Sequence, residues 1–303
     1  MRNPIIRLLP LLLALLSSPA GAALKIFACE PEWAALSSEL GGKDVEVYAA
    51  TTALQDVHKI QARPSLIAKY RQADLVVCTG AELEIGWLPA LVDKANNPRV
   101  LPGSKGFFEA SRFVEMIEVP QSLDRAQGDV HPYGNPHIQT DPRNFARVAG
   151  ALGERLVLLD PANASSYASR QQDFARRWTN ALARWEAQAK PLKGLRVVSM
   201  HRDWSYLNRW LGITQVAALE PKPGLPPTAA HLSSVLEGLK SQPANLVMVA
   251  AYQDRKAADW LTQKTGMPLV ELPFTVGEPA GAPDLFKLFD VTLARLLEAR
   301  KTS

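Results

Sequence analysis

Short apolar runs alternate along this chain with longer stretches in which apolar residues recur every three or four positions. In the first half, the apolar runs predict four strands: LKIFAC (24–29), VEVYA (45–49), DLVVC (74–78) and RVL (99–101). In the second half they predict four more: LRVVSM (195–200), TQVAAL (214–219), NLVMVAA (245–251) and PLVELP (268–273). Strands that alternate with helices form mostly parallel sheets. The pattern therefore predicts an α/β fold with two similar lobes.

One long polar segment, residues 163–190, separates the two halves and has no proline or glycine in its interior. Four apolar residues in it recur at spacings of four, four and three: Phe174, Trp178, Leu182 and Trp185. This spacing places them on one helical face. A helix of about 24 residues spans roughly 36 Å, which is enough to link two lobes as a rigid strut. We expect three folded parts: an N-terminal lobe (23–162), a linking helix (163–190) and a C-terminal lobe (191–303).

The first 22 residues have the pattern of a secretory signal peptide. Arg2 and Arg7 precede an apolar run over residues 8–16, and AGA at 20–22 supplies the small residues of a cleavage site. Neither this run nor any later one reaches the roughly 18 apolar residues of a membrane span. We expect cleavage after Ala22 and export of the mature chain to the periplasm.

Composition and charge narrow the class of protein further. Hydrophobic residues make up 47% of the chain and charged residues 21%, which is typical of a folded globular protein. The formal net charge is +4, and the basic residues form no cluster of the kind that follows a phosphate backbone. Nucleic acid is therefore not an expected partner.

The chain has two cysteines, Cys29 and Cys78, and each ends an apolar run that predicts a buried strand. An oxidising compartment permits a disulfide if the two strand ends are neighbours. Two packed free thiols are the alternative. The sequence leaves both open.

Three of the five histidines lie where parallel α/β sheets form ligand sites. His58 is in the loop that leaves the second strand, and His201 directly follows the strand LRVVSM. His137 lies in a turn-rich loop just before a helix that should start near Pro142. Imidazole nitrogen suits zinc and other late divalent metals, and three ligands with a variable fourth position are a common zinc arrangement. The alternative for each residue is a loop side chain bonded to water.

Three motifs, DVHKIQARPS, GNPHIQTDPRN and HRDWSYLNRWLG, resemble in order and spacing the histidine motifs of one protein family. This family is the periplasmic zinc and manganese solute-binding proteins of ABC transporters, cluster A-I. The resemblance covers essentially the whole mature chain. It implies two Rossmann-like lobes joined by one rigid helix, a metal in the cleft between them, and delivery to an inner-membrane permease. His58 and His137 would be ligands from the first lobe, and His201 a ligand from the second.

The sequence leaves the fourth ligand open. The resemblance points to the loop after the last strand, which here reads PFTVGEP and has no acid directly after the strand. Glu278 is the nearest acid in that loop and completes the predicted set of four. His131, Glu30 and water are the alternatives.

The expected cargo is Zn²⁺, with Mn²⁺ as the weaker candidate, because hard Mn²⁺ prefers oxygen ligands and three histidines offer nitrogen. The expected protein is a monomer without enzymatic activity. A manganese or iron homologue is the alternative within the class. Alternatives outside it are a secreted three-histidine zinc hydrolase and an adhesin or metal-donating chaperone. No HExxH motif or evident general base accompanies the histidines.

Overall fold

The computed structural model describes residues 22–122, 128 and 130–302. The predicted signal peptide lies outside these ranges except for its last residue, Ala22. Within these ranges, no helix combines the length and the apolar content that a membrane crossing requires.

The first lobe contains a parallel sheet of four strands in the order β2-β1-β3-β4. The strands are Leu24–Ala28 (β1), Val45–Ala49 (β2), Leu75–Cys78 (β3) and Phe107–Glu109 (β4). Its helices are Pro31–Gly41 (α1), Pro64–Gln72 (α2), Leu88–Ala95 (α3) and Pro142–Leu159 (α4). Helices on a parallel sheet bury both faces, so strands such as β3 are apolar throughout.

The predicted strand at RVL (99–101) is wrong. Residues Pro98–Val100 form a 3-10 turn that Asn97 caps by accepting a hydrogen bond from the Arg99 N–H. Proline fixes φ and cannot donate to a ladder, which favours a turn here. Val100 is fully buried, so this apolar run reflects burial rather than strand pairing. The fourth strand is instead β4, which pairs with β3.

The second lobe repeats this topology with the order β6-β5-β7-β8. Its strands are Arg196–Ser199 (β5), Thr214–Ala218 (β6), Leu246–Ala250 (β7) and Leu269–Leu272 (β8). Its helices are Ser205–Leu211 (α6), Ala229–Ser241 (α7), Lys256–Thr265 (α8) and Leu285–Lys301 (α9). All described pairings in both sheets are parallel, which confirms the prediction of two α/β lobes.

The long linking helix, α5, runs over Ala164–Ala189 and has 26 residues. Trp178 and Trp185 on its apolar face are buried, and their indole N–H groups donate to the Pro142 carbonyl (2.8 Å) and to the Asp290 carboxylate (2.7 Å). Asp290 belongs to α9 of the second lobe. The helix therefore packs into one core with both lobes, as expected for a rigid strut.

Cys29 and Cys78 form a disulfide, with their Cα atoms 4.8 Å apart. β1 and β3 are parallel neighbours, and the Cys29 N–H donates to the Val77 carbonyl (2.9 Å), so the two strand ends lie side by side. This pairing answers the question that the sequence left open. Glu84 lies beside the two sulfurs, but the disulfide leaves no thiolate there to bind a metal.

Candidate metal centre

His58 is held by a carboxylate two residues before it. Val57–Lys59 forms a 3-10 turn after β2, and Asp56 accepts a hydrogen bond from the His58 backbone N–H (3.1 Å). The same Asp56 oxygen lies 3.0 Å from Nδ1 of the His58 ring. One carboxylate therefore fixes both the backbone and the ring.

His131 and His137 lie on the loop that leads to α4. The His137 backbone N–H donates to Oδ1 of Asn135 (3.0 Å). The Asn135 amide group also donates to the Glu118 carboxylate (2.9 Å) and to the Arg202 carbonyl (2.7 Å). Arg202 follows β5, so this asparagine ties the histidine loop of the first lobe to the second lobe.

His201 follows β5 at the edge of the second lobe that faces the first. Its Nδ1 lies 2.7 Å from Oε2 of Glu220, and the Gly224 N–H donates to the same oxygen (3.0 Å). Glu220 comes shortly after β6, the parallel neighbour of β5. The carboxyl ends of neighbouring parallel strands lie at one edge of a sheet, which brings this pair together.

These loops bring four imidazole rings together. The ring centroid of His137 lies 5.4 Å from that of His58, 6.5 Å from that of His131 and 5.6 Å from that of His201. The His58 centroid lies 5.5 Å from that of His131 and 6.1 Å from that of His201. Four imidazoles on a tetrahedral zinc, with Zn–N bonds of about 2.1 Å, have ring centroids about 5 Å apart. The observed cluster is slightly wider than that arrangement.

The hydrogen bonds of the rings leave nitrogen atoms free for a metal. Nε2 of His58 and of His131 and both ring nitrogens of His137 are buried and have no hydrogen-bond partner. Nδ1 of His58 lies 3.0 Å from the Asp56 carboxylate, and Nδ1 of His201 lies 2.7 Å from the Glu220 carboxylate. A histidine that donates through Nδ1 keeps the Nε2 lone pair available to a metal.

Burial and neighbouring charges set the protonation of the cluster. Burial, followed by the charges of His58 and His201, lowers the pKa of His131 to about 4 and that of His137 well below its ordinary value. Burial also opposes the charged form of His201, but the hydrogen bond to Glu220 and the charge of Asp203 outweigh it and raise the His201 pKa. Two of the rings are therefore neutral near pH 7, as metal binding requires.

A cavity of about 650 Å³ opens beside the cluster, between the lobes. His58 and Lys59 of the first lobe and His201, Tyr252 and Trp260 of the second are among its lining residues. His58 and His201 therefore lie in the cleft between the lobes.

A family model for the periplasmic zinc-uptake complex component A, ZnuA, matches residues 26–299. The match includes both sheets, the linking helix and all four clustered histidines. The chain belongs to the ZnuA family. This confirms the resemblance to the cluster A-I substrate-binding proteins of metal ABC transporters.

Curated relatives of this ZnuA family member are named for several metals. It is 23% identical over 268 residues to the manganese ABC transporter substrate-binding lipoprotein PsaA of Streptococcus pneumoniae, covering 86% of this chain and 82% of PsaA. It is 21% identical over 259 residues to the iron ABC transporter substrate-binding lipoprotein MtsA of Streptococcus pyogenes serotype M1, covering 83% of this chain and 80% of MtsA. These names do not favour one metal for this chain.

Solved structures share the fold of this ZnuA family member. A crystal structure of ZnuA superposes with a TM-score of 0.76 at 20% identity, covering 92% of this chain and 99% of the other. The substrate-binding protein FpvC of Pseudomonas aeruginosa, in complex with Mn²⁺, gives the same TM-score and identity, covering 92% of this chain and 98% of FpvC. At this identity the likeness shows the two-lobe fold alone.

The structure brings together three of the four ligands predicted for this ZnuA family member, and not the fourth. His58, His137 and His201 meet as expected. Glu278 is exposed in a 3-10 turn, and no described contact joins its side chain to any of the histidines. Of the alternatives, His131 is in the cluster, whereas Glu30 accepts hydrogen bonds from Thr79 instead.

Sequence reasoning missed the carboxylates that hold the rings. Asp56 precedes His58 by two residues, a spacing at which one carboxylate can reach both the backbone and the ring. Glu220 follows the strand TQVAAL, and its position at a strand end was a usable signal. Using this signal would have required knowing that this strand, β6, pairs with β5, the strand before His201.

Asp56→Asn and Glu220→Gln are each expected to weaken metal binding about tenfold. Carboxylates that accept from ligating histidines fix the tautomer and raise ligand basicity, and their loss typically costs 10–100-fold in affinity. The measurement is a competitive titration with a chelator at pH 7.5. Asp254→Asn is the matched control, because Asp254 lines the same cavity but pairs with Lys256. Unchanged affinity in both variants would contradict this role.

Proposed function

We propose that this protein is the exported substrate-binding component of a metal ABC importer that holds one Zn²⁺ in its cleft. His58, His131, His137 and His201 are the proposed ligands. The mature chain begins after Ala22, works in the periplasm and delivers the ion to an inner-membrane permease.

The observation that carries this proposal is the convergence of four rings with free nitrogens. A buried polar atom without a partner is costly, and three of these histidines bear such atoms. A metal ion is the partner that would satisfy several of them at once. Because one chain supplies every ring, the site needs no second copy, which supports a monomer.

The donor set supports zinc over manganese. All four proposed donors are imidazole nitrogens, and the carboxylates Asp56 and Glu220 bond to the Nδ1 sides of the rings. Hard Mn²⁺ prefers oxygen, whereas Zn²⁺ accepts four nitrogen ligands in a tetrahedral site.

His131 replaces Glu278 as the proposed fourth ligand. Its half-buried ring lies 5.5 Å from that of His58 and has a buried Nε2 without a partner, while the exposed Glu278 has no described contact with the cluster. A closed set of four ligands leaves no position for a reactive water, so the proposed protein transports metal and does not catalyse a reaction.

The test is elemental analysis and competitive titration of the purified mature chain, stripped and then offered Zn²⁺ and Mn²⁺. We expect one zinc per chain and a clear preference for zinc. His131→Ala should weaken zinc binding at least tenfold, and Glu278→Ala should leave it unchanged. No retained metal, or a preference for manganese, would contradict the zinc proposal, and full affinity in His131→Ala would remove that residue from the site.

A further inference from the structure

The side-chain amide of Asn135 hydrogen-bonds to the backbone on both sides of the histidine cluster. Its Oδ1 accepts from the N–H of His137 (3.0 Å), and its Nδ2 donates to the carbonyl of Arg202 (2.7 Å). Arg202 directly follows His201, and the ring centroids of His137 and His201 lie 5.6 Å apart. One planar amide group thus holds the backbone at two of the clustered histidines, one from each lobe.

The surroundings of this amide fix its orientation. An amide oxygen only accepts and an amide nitrogen only donates, so a flipped Asn135 would place a donor opposite the His137 N–H. Nδ2 also donates to the Glu118 carboxylate (2.9 Å) and to the hydroxyl of Ser205 (3.2 Å). Asn135 is 8% exposed, and a buried polar group that loses its partners destabilises the fold. Contacts from both lobes therefore hold this side chain in place.

The carboxylate that faces the amide lies on a strained stretch of backbone. Glu118 has a φ angle of +55°, in the left-handed region that side chains disfavour. Its two oxygens accept from Nδ2 of Asn135 (2.9 Å) and from Oγ of Ser205 (2.9 Å), the first residue of α6. Such strain persists only where surrounding contacts impose it, and it is concentrated at functional sites.

The backbone of Asn135 is attached to the same helix. The Tyr206 hydroxyl, in α6, donates to the Asn135 carbonyl (3.0 Å) and accepts from the Ile117 N–H (3.3 Å). The Asn135 N–H in turn donates to the Ile117 carbonyl (2.8 Å). Both the side chain and the backbone of Asn135 are therefore fixed relative to α6, the helix that follows His201.

We propose that Asn135 is a positioning residue for metal binding: it holds His137 of the first lobe at a fixed distance from His201 of the second, so that both rings reach one ion. The inference rests on the proposed function, in which both histidines are ligands. Asn135 itself touches no metal. Its role differs from that of Asp56 and Glu220, which each bond to a ring of their own lobe, because it joins the two lobes at the site.

Asn135→Asp in the full mature chain tests this inference. The variant keeps the oxygen that accepts from His137 and replaces the NH₂ group with an oxygen that faces the Glu118 carboxylate and the Arg202 carbonyl. We expect zinc binding at pH 7.5 to weaken about tenfold, because ligands must be held within about 0.5 Å of their productive positions and the residues that hold them typically contribute 10–100-fold to affinity. Competitive titration against a chelator measures the loss.

Glu118→Gln supplies the rescue. In the double variant Asn135→Asp/Glu118→Gln an amide again faces a carboxylate, with the two groups exchanged. We expect its zinc affinity to lie within about threefold of the wild type, since mutations of two groups in contact are not additive. Glu118→Gln alone should change the affinity less than about twofold, because an amide oxygen can accept from Asn135 while its nitrogen donates to Ser205.

Glu115→Gln is the matched control. Glu115 pairs with Arg209 of α6 (3.0 Å), so it joins the same segment to the same helix, but no described contact links it to the histidines. We expect its zinc affinity to equal that of the wild type. Co²⁺ gives a second readout, because tetrahedral Co²⁺ absorbs visible light strongly. Asn135→Asp should lower this absorption at saturating Co²⁺, which a loss of fold stability alone would not do.

The outcomes separate this inference from the proposed function. A wild-type chain that binds no zinc contradicts the proposed function and this inference with it. If the wild type binds zinc, the positioning role alone is overturned by full affinity in Asn135→Asp, by a loss that Glu118→Gln does not relieve, or by an equal loss in Glu115→Gln.

Tyr206→Phe decides the question if Asn135→Asp does not fold. It keeps the buried ring and releases the Asn135 carbonyl, so it should weaken zinc binding about threefold, as the loss of one hydrogen bond implies, and lower the Co²⁺ absorption. Unchanged zinc affinity and Co²⁺ absorption in this variant would overturn the positioning role.

Discussion

Replacing His137 with alanine is expected to lower the affinity for zinc about 100-fold. Its ring centroid lies 5.4 Å from that of His58 and 5.6 Å from that of His201, the residue is 1% exposed, and neither of its ring nitrogens has a hydrogen-bond partner. Four-ligand structural zinc sites bind with about 10–16 kcal/mol, or about 3 kcal/mol per ligand, which corresponds to about a 100-fold change. Competitive titration against a chelator of known affinity measures it. His58→Ala and His201→Ala should show losses of similar size.

His231→Ala is the matched control for this series. His231 is the one histidine outside the cluster. It lies in α7, and its Nε2 is 2.9 Å from the carbonyl oxygen of Ala218, the last residue of β6. We expect its zinc affinity to equal that of the wild type. Near-wild-type affinity in His137→Ala would remove that residue from the site.

The affinity for zinc is expected to fall about tenfold per pH unit on acidification below the raised pKa of His201. Burial lowers the pKa of His201, but the hydrogen bond to Glu220 and the charge of Asp203 outweigh burial and raise it. A protonated His201 must lose its proton before it can bind zinc. Protons compete less for His131 and His137, because burial lowers the pKa of His131 to about 4 and that of His137 well below its ordinary value. Titrations at intervals from pH 8 to 6 measure the slope.

Glu220→Gln isolates the part of this pH dependence that belongs to His201. Without the carboxylate, the His201 pKa falls, so the loss of affinity should begin at a lower pH than in the wild type. Asp254→Asn, a change in the same cavity away from the rings, should leave the profile in place. A zinc affinity that is constant from pH 8 to 6, or a profile that Glu220→Gln does not shift, would contradict this account.

The sequence by itself determined the architecture of this protein. Strands buried on both faces, such as β3 and β7, must be apolar throughout, and the helices between them repeat apolar residues at the helical period. Both signals are local, so they are visible without knowing what packs against what. The three histidine motifs were likewise visible, because each follows a strand or precedes a helix at a fixed distance along the chain. The signal peptide and the lobe boundaries at 162 and 190 remain predictions.

Only the tertiary structure decided which of the distant residues meet. Cys29 and Cys78 pair because β1 and β3 are neighbours, and Glu220 reaches His201 because β6 lies beside β5. Strand order is set by packing across the sheet, which no local pattern encodes.

The position of His131 beside the other rings, and of Glu278 away from them, had the same physical basis. Both are polar residues in loops, and the family resemblance pointed to the loop after the last strand, where Glu278 is the nearest acid. Folding places the half-buried His131 ring 5.5 Å from that of His58 and leaves Glu278 exposed. The apolar run at 99–101 became a turn for a related reason, since burial of Val100 required an apolar residue but not a strand. Periodicity reports which residues are buried, whereas the partners of a buried or ligating residue depend on contacts between segments far apart in the chain.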